Sequence, residues 1–303
     1  MPHHHQHHES APGDLDRRLW ASAALNLGIT LVELVGGLWA GSLALLADAV
    51  HNLTDVGALG LAIFARGLGR RPPTPRHTYG LKRAEVVAAL INAAALIAIS
   101  ALIGREAVSR LVHPAPVHGS VMLVAAIVAF AGNVASVLIL RTHSSEDINV
   151  RSAFLHLSQD ALASLAVVVA ALFARTAVGR YVDPIAALLI GIVVLRSAIS
   201  IVSESLHTLL EAAPAGMDVE QLVGEVTRRF TGVRLHHVHA WEVGPGQRVL
   251  TAHMKVGATT LLEVEAIAAE VLSFLHEEWG ITHATLEAEV NGCGREALLA
   301  EWK

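Results

Sequence analysis

Two fragments of this chain place a histidine and an aspartate four residues apart. One reads Asp48-Ala49-Val50-His51-Asn52-Leu53-Thr54-Asp55, the other His156-Leu157-Ser158-Gln159-Asp160. On a helix that spacing puts both side chains on one face, separated by roughly 6 Å of rise. Both fragments lie in apolar stretches, where ionisable groups are expensive and seldom lack a partner or a task. Two imidazoles and two carboxylates at similar depth make a four-coordinate set of borderline nitrogen and hard oxygen donors, suited to Zn²⁺. Neutral histidines with ionised aspartates carry two negative charges, which one divalent cation cancels; the empty set must take up protons instead. Metal and proton thus compete for the same atoms, and exchange of one for the other follows. Static helix-packing hydrogen bonds would account for one such pair; two identical spacings at matching depth point to a site. Asp48, one turn before His51, falls behind the ligands or near the far mouth of its segment. Asn26, Glu33 and Asn92 are polar lining or links between helices.

The elements that must position these residues are six apolar stretches, near 19–40, 42–65, 86–104, 119–140, 152–174 and 183–203, each about the 20 residues that cross a bilayer. Asp183-Pro184 reads as the start of the sixth, Asp as its cap and Pro in its first turn. Composition agrees: 53% hydrophobic, 16% charged, mean hydropathy +0.51. This excludes a disordered chain and an ordinary soluble enzyme, since soluble domains carry about 25% charged residues. A net charge of -5 without a long basic run excludes a nucleic-acid partner. Ten Lys/Arg lie on one side of the six spans (Arg17, Arg18, Arg66, Arg70, Arg71, Arg76, Lys82, Arg83, Arg141, Arg151) against four on the other (Arg105, Arg110, Arg175, Arg180). That asymmetry puts both termini in the cytoplasm, as an even number of spans requires. The basic residues from Arg66 to Arg83 would meet anionic lipid heads.

Beyond the last span the character changes. Residues 1–208 hold 15 Lys/Arg against 13 Asp/Glu, residues 209–303 hold 7 against 14, and the latter lack long apolar runs. The tail reads as helix 216–230, strand 236–243, strand 248–257, helix 261–279 and strand 284–290, with Gly244-Pro245-Gly246-Gln247 as the first hairpin turn. This αββαβ order predicts a small α/β sandwich with one sheet face under two helices, supported by dimerisation. The expected division is a disordered His-rich tail at 1–14, a transmembrane domain at 15–208, a cytoplasmic domain at 209–292 and a short end at 293–303. The run His3, His4, His5, His7, His8 is a metal-gathering tail or the remnant of an affinity tag. The single cysteine, Cys293, permits no internal disulfide.

In these motifs the chain resembles the cation diffusion facilitator family, the zinc/cadmium efflux proteins. The likeness is carried by Ser42 through Asp55, by His77-Thr78-Tyr79-Gly80 with Arg83-Ala84-Glu85, by His156 with Asp160, by Asp183-Pro184 and by Val238-His239-Ala240-Trp241. It covers residues 15–290 with the motifs in family order. The resemblance implies a homodimer of six-span protomers, each exporting a divalent metal against protons, with a ferredoxin-like cytoplasmic domain at the dimer axis. It places the transport site on His51, Asp55, His156 and Asp160, a ligand set like that of the zinc/cadmium subgroup. A second family site in the loop between spans two and three matches only His77; other ligands found there in some members are absent, and the surrounding run Arg70-Arg71-Pro72-Pro73-Thr74-Pro75-Arg76 repels cations. The family's cytoplasmic zinc site, a bound regulatory ion, matches His239, His253, His283 and Glu289, with His236 and His237 near enough to substitute. Charged pairs near the loop hold the two halves together in the family, a structural role for Arg83 and Glu85.

The expected function is therefore proton-coupled efflux of Zn²⁺, with Cd²⁺ as a second substrate, across an inner (plasma) membrane, without organic cofactor. The Gly-Lys-Ser loop of an ATP-driven pump is absent, as is the His-Glu-x-x-His of a membrane metalloprotease. The other reading is a membrane-anchored metal sensor whose cytoplasmic domain signals zinc status; polar pairs inside the spans argue against an inert membrane part.

Overall fold

The computed structural model describes residues 12–141, 148–174, 176, 178–257, 260–290 and 297–298; the histidine run and Cys293 lie outside them. Six long helices come first: α1 (Pro12–Ala40), α2 (Leu43–Gly69), α3 (Ala84–Val112), α4 (Gly119–Arg141), α5 (Ile148–Phe173) and α6 (Gly179–Leu209). An α/β segment follows: α7 (Val219–Arg229), β1 (Val233–Gly244), β2 (Gln247–Val256), α8 (Leu261–Trp279) and β3 (Ile281–Glu289). The chain divides into two compact units, Met1–Gly60 with Asn92–Ser200, and Leu61–Ile91 with Ile201–Lys303.

In the first unit the usual distribution of polarity is inverted. Trp39 (73% exposed), Leu38, Leu102, Leu162 and Val193 face outward, while Glu33, Asp48, Asn52, Asn133, Ser164 and Asp183 are enclosed. An apolar exterior of this extent is stable only against lipid. Four stretches are long and apolar enough to cross a bilayer: Ala84–Val112, Gly119–Ile139, Phe154–Phe173 and Gly179–Leu209. α1 adds the apolar helix Ala24–Ala40. α2 carries Asp48, His51, Asn52 and Asp55 along its middle, and these lower its hydropathy. The protein is thus a multi-pass α-helical membrane protein.

Small residues bring α1 against α4. A Cβ on Gly36 would fall 2.5 Å from the Ala125 Cβ, and one on Gly132 would fall 2.7 Å from Ile29, so the helix backbones approach through both glycines. α1 passes to α2 in two residues. Gly41 adopts φ 68, Ser42 N–H closes back on the Gly37 carbonyl at 3.0 Å, and Ser42 Oγ accepts from Leu45 N–H at 3.2 Å. The rest of this cap comes from 140 residues away. Asp183 accepts from Ser42 Oγ (2.5 Å), Leu43 N–H (2.9 Å) and Ala44 N–H (3.2 Å). This corrects the reading of Asp183-Pro184 as the cap of its own helix: α6 begins at Gly179, Pro184 lies inside it, and Asp183 caps α2 instead.

In the second unit the sheet order is β1-β2-β3, with β1 antiparallel and β2 parallel to their neighbours β2 and β3. Asp218 caps α7, a Thr260/Glu263 capping box starts α8, and Gly280 at φ 63 ends it. Leu222 and Val226 of α7, Val271 and Leu275 of α8, and Leu235, Val238, Leu250, Ala252 and Met254 of the sheet form one apolar core. β1 starts at Val233, three residues earlier than expected. A bulge hides its alternation: His236 pairs with His253 and His239 with Thr251, so His237 and Val238 share one partner position. His237 takes φ 48, and the N–H groups of His237 and Val238 donate to the carbonyls of Ala297 (3.1 Å) and Leu298 (2.8 Å).

Candidate metal centres

α2 and α5 each present one His-x-x-x-Asp face, and the structure brings the two faces together. His51 Nε2 lies 3.7 Å from Asp55 Oδ2 and 3.8 Å from Asp160 Oδ1; His156 Nε2 lies 3.3 Å from Asp55 Oδ2 and 3.8 Å from Asp160 Oδ2. The imidazole centroids are 6.1 Å apart. A tetrahedral zinc with bonds of about 2.1 Å has ligand–ligand edges of about 3.4 Å. Three of its six edges are therefore already close to length, since Asp160 meets His51 through Oδ1 and His156 through Oδ2. Asp160 is enclosed (1% exposed), whereas the His156 side chain is 43% exposed, so the cluster has a closed and an open side. Both Asp160 oxygens, Asp55 Oδ2 and His51 Nδ1 are buried without a hydrogen-bond partner. Acceptors so oriented are costly unless a cation or protons fill the space between them.

Behind the ligands lies a polar chain, of which the sequence singled out only Asp48, behind the ligands, and Glu33, as lining. Ser164 Oγ donates to Asp48 Oδ2 (3.0 Å) and accepts from Asn133 Nδ2 (2.8 Å); Asn52 Nδ2 donates to Glu33 Oε2 (2.9 Å). Ser164 and Asn133 stand out from no motif, and only the fold shows them to be enclosed. Asn26 holds a buried, unpartnered side-chain oxygen, two turns before Glu33 on the same face of α1.

A second cluster sits on the sheet face away from the helices. His236 Nε2 is 3.2 Å from Glu289 Oε2, His253 Nδ1 is 2.5 Å from Glu289 Oε1, and one donor atom from each of the three residues falls within 4.8 Å of the others. Two imidazoles and a carboxylate at that spacing fit a zinc ion. The bulge adds His237, whose ring lies 5.2 Å from that of His236 and 5.0 Å from that of His253. Desolvation, then the neighbouring imidazoles of His253 and His236, lowers the His237 pKa. Glu287 reaches His253 Nε2 at 3.6 Å. His239 of β1 pairs with Thr251 and His283 of β3 with Val249, two and four residues before His253 on β2. The His283 ring packs edge-on against Tyr79 at 6.3 Å.

In the connection between α2 and α3, His77 is exposed and its backbone forms a tight pair with Thr74. Arg83 pairs at 2.7 Å with Glu211. Glu211 sits at φ 58 just past α6, where Ala212 N–H bonds the His207 carbonyl, a helix ending that glycine usually occupies.

Long apolar helices around an enclosed cluster of imidazoles and carboxylates define an integral membrane protein built to handle a cation. The family model described as the cation efflux transmembrane domain matches residues 19–210. The zinc transporter ZitB of Escherichia coli (strain K12) is 40% identical over 298 residues, covering 97% of this chain and 94% of that protein. The cadmium, cobalt and zinc/H(+)-K(+) antiporter of Bacillus subtilis (strain 168) is 33% identical over 303 residues, covering 99% and 96%. The metal cation efflux system protein CzcD of Cupriavidus metallidurans is 32% identical over 291 residues, covering 96% and 90%. The chain belongs to the cation diffusion facilitator family, and it is a transmembrane cation transporter, not an enzyme.

Proposed function

We propose that the protein exports Zn²⁺, and Cd²⁺ with it, from the cytoplasm in exchange for protons, through His51, Asp55, His156 and Asp160. One observation carries this reading: four His–Asp approaches of 3.3–3.8 Å around an enclosed Asp160 whose oxygens have no hydrogen-bond partner. Nitrogen and carboxylate donors in equal number favour a borderline cation over a hard one such as Mg²⁺. The similarity to zinc and cadmium transporters points the same way. The metal displaces protons from the ligands on entry, and protons from the far side displace the metal on exit.

The working unit is a homodimer of six-span protomers with both termini in the cytoplasm of a bacterial cell, embedded in the inner membrane. The divisions at 14, 208 and 292 remain our domain assignment, with the αββαβ segment in the ferredoxin-like class. His236, His253 and Glu289, with His237 as the fourth donor, hold a regulatory zinc, which supplies a cross-link between β1, β2 and β3.

Equilibrium zinc binding to the full-length purified protein tests the two assignments together. Asp160→Asn should remove one zinc per chain, weakening that site by at least about 100-fold, and leave the other. His253→Ala should do the converse. Loss of neither zinc in Asp160→Asn would reject the transport-site assignment, and retention of both in His253→Ala would reject the regulatory one.

A further inference from the structure

Glu33 and Asp48 are two carboxyl groups that the metal site does not use. Both are fully enclosed, and Asn52, one turn after Asp48 on the same face of α2, donates to Glu33, which sets the two carboxyl groups within electrostatic reach of one another. The outer oxygen of each is held by one neutral donor: Asn52 Nδ2 on Glu33 Oε2 at 2.9 Å, Ser164 Oγ on Asp48 Oδ2 at 3.0 Å. Ser164 is fixed in turn by Asn133. The remaining oxygens, Glu33 Oε1 and Asp48 Oδ1, are buried without a hydrogen-bond partner among the described residues. The groups that act on the pair are Asn52 and His51 of α2 and Ser164 and Asp160 of α5, with Asn133 of α4 behind Ser164. Two ionised carboxylates this near one another, away from water, repel strongly, and a proton held on the pair removes the conflict.

We propose that Glu33 and Asp48 form a proton-binding site of their own, distinct from the metal ligands, which holds a proton while the transport site is empty and releases it when a divalent cation binds there. This rests on the transport-site assignment above. Asp48 lies three residues before His51, about 4.5 Å of helix rise, so a cation on the ligands favours the ionised pair. Linkage is reciprocal, and a protonated pair weakens metal binding by the same factor. The step is simple: the O–H of the pair gives its proton to water, and the negative charge stays on the two carboxylates. The pair thereby adds to the protons exchanged per metal without occupying a coordination position.

Two readouts on the full-length protein test this. In infrared difference spectra, the carbonyl band of a neutral carboxylic acid should be present in the metal-free wild type and vanish on zinc addition. That change should be smaller in Glu33→Gln, whose amide mimics the protonated acid, and in Asp48→Asn, by the share the pair contributes. Proton release per zinc bound, measured in weakly buffered solution, should fall in both variants by up to one proton, with zinc still bound at the transport site. A neutral-acid band that persists through zinc saturation of the wild type overturns the proposal, as does unchanged proton release in Glu33→Gln. Failure of the transport-site assignment is distinguishable: zinc binding would then survive Asp160→Asn. The pH titration of the band in metal-free wild type and Glu33→Gln still decides whether the pair binds a proton; a titration the two proteins share would reject it.

Discussion

His237 combines three unusual properties at one residue: a left-handed backbone, two imidazole neighbours and a lowered pKa. Because its folded pKa lies below the ordinary value of about 6.5, the unfolded chain takes up a proton first as pH falls. Its contribution to stability is therefore present above that value and lost on acidification. In chelator, thermal unfolding of the cytoplasmic segment should shift downward between about pH 7.5 and pH 5.5, and less so in His237→Asn, since asparagine tolerates this backbone. Equal shifts in the two proteins would show that other histidines carry the effect. At this scale the sequence was informative where one helix carries both partners. His51–Asp55 and His156–Asp160 declare themselves by spacing, because i and i+4 share a face whatever the fold. The Asn52–Glu33 hydrogen bond joins two helices, and no spacing encodes it. The tail ligands lie between these cases: alternation along β2 put His253 on the polar face, but the bulge that brings His236 and His237 beside it left no legible period.

Among the elements, α2 depends most on distant groups. Its first turn has one local cap, Ser42, and one remote cap, Asp183. Asp183→Ala leaves a hydroxyl and two N–H groups without their charged acceptor in a low-dielectric setting, a loss of about 2–4 kcal/mol. Asp183→Asn keeps one acceptor oxygen and should lose less. Detergent-solubilised protein should show this order in thermal unfolding, with zinc affinity falling in parallel because α2 carries His51 and Asp55. An alanine variant as stable as the asparagine one would contradict the remote-cap account. The six helices and the αββαβ order were readable from apolar length and periodicity. The start of α6 was not. Asp-Pro is a good local start signal, and here the aspartate serves a neighbouring helix while the proline is accommodated within α6.

For the molecule as a whole, the question is what links movement of metal to the rest of the chain. Arg83 and Glu211 tie the α2–α3 connection to the end of α6 through a pair that is largely exposed, 35% and 60%. Such pairs contribute about 0–1 kcal/mol, so Arg83→Glu should shift unfolding only slightly. If the pair's role is positional, transport should fall far more than stability, and the reversed pair Arg83→Glu with Glu211→Arg should recover it. Loss of transport matched by loss of folding would reduce the pair to a structural tie. The family is legible in the sequence alone, since its motifs span residues 15–290, whereas the polar network inside the helices is a property of the packed bundle alone. The central claim is that the four-ligand cluster between α2 and α5 carries zinc against protons. The direct test is zinc flux into proteoliposomes under an imposed proton gradient, wild type beside Asp160→Ala. Gradient-dependent accumulation in the wild type, absent in a folded variant that still binds zinc on its cytoplasmic segment, is the predicted result. Equal flux in both proteins, or flux indifferent to the gradient, would contradict it.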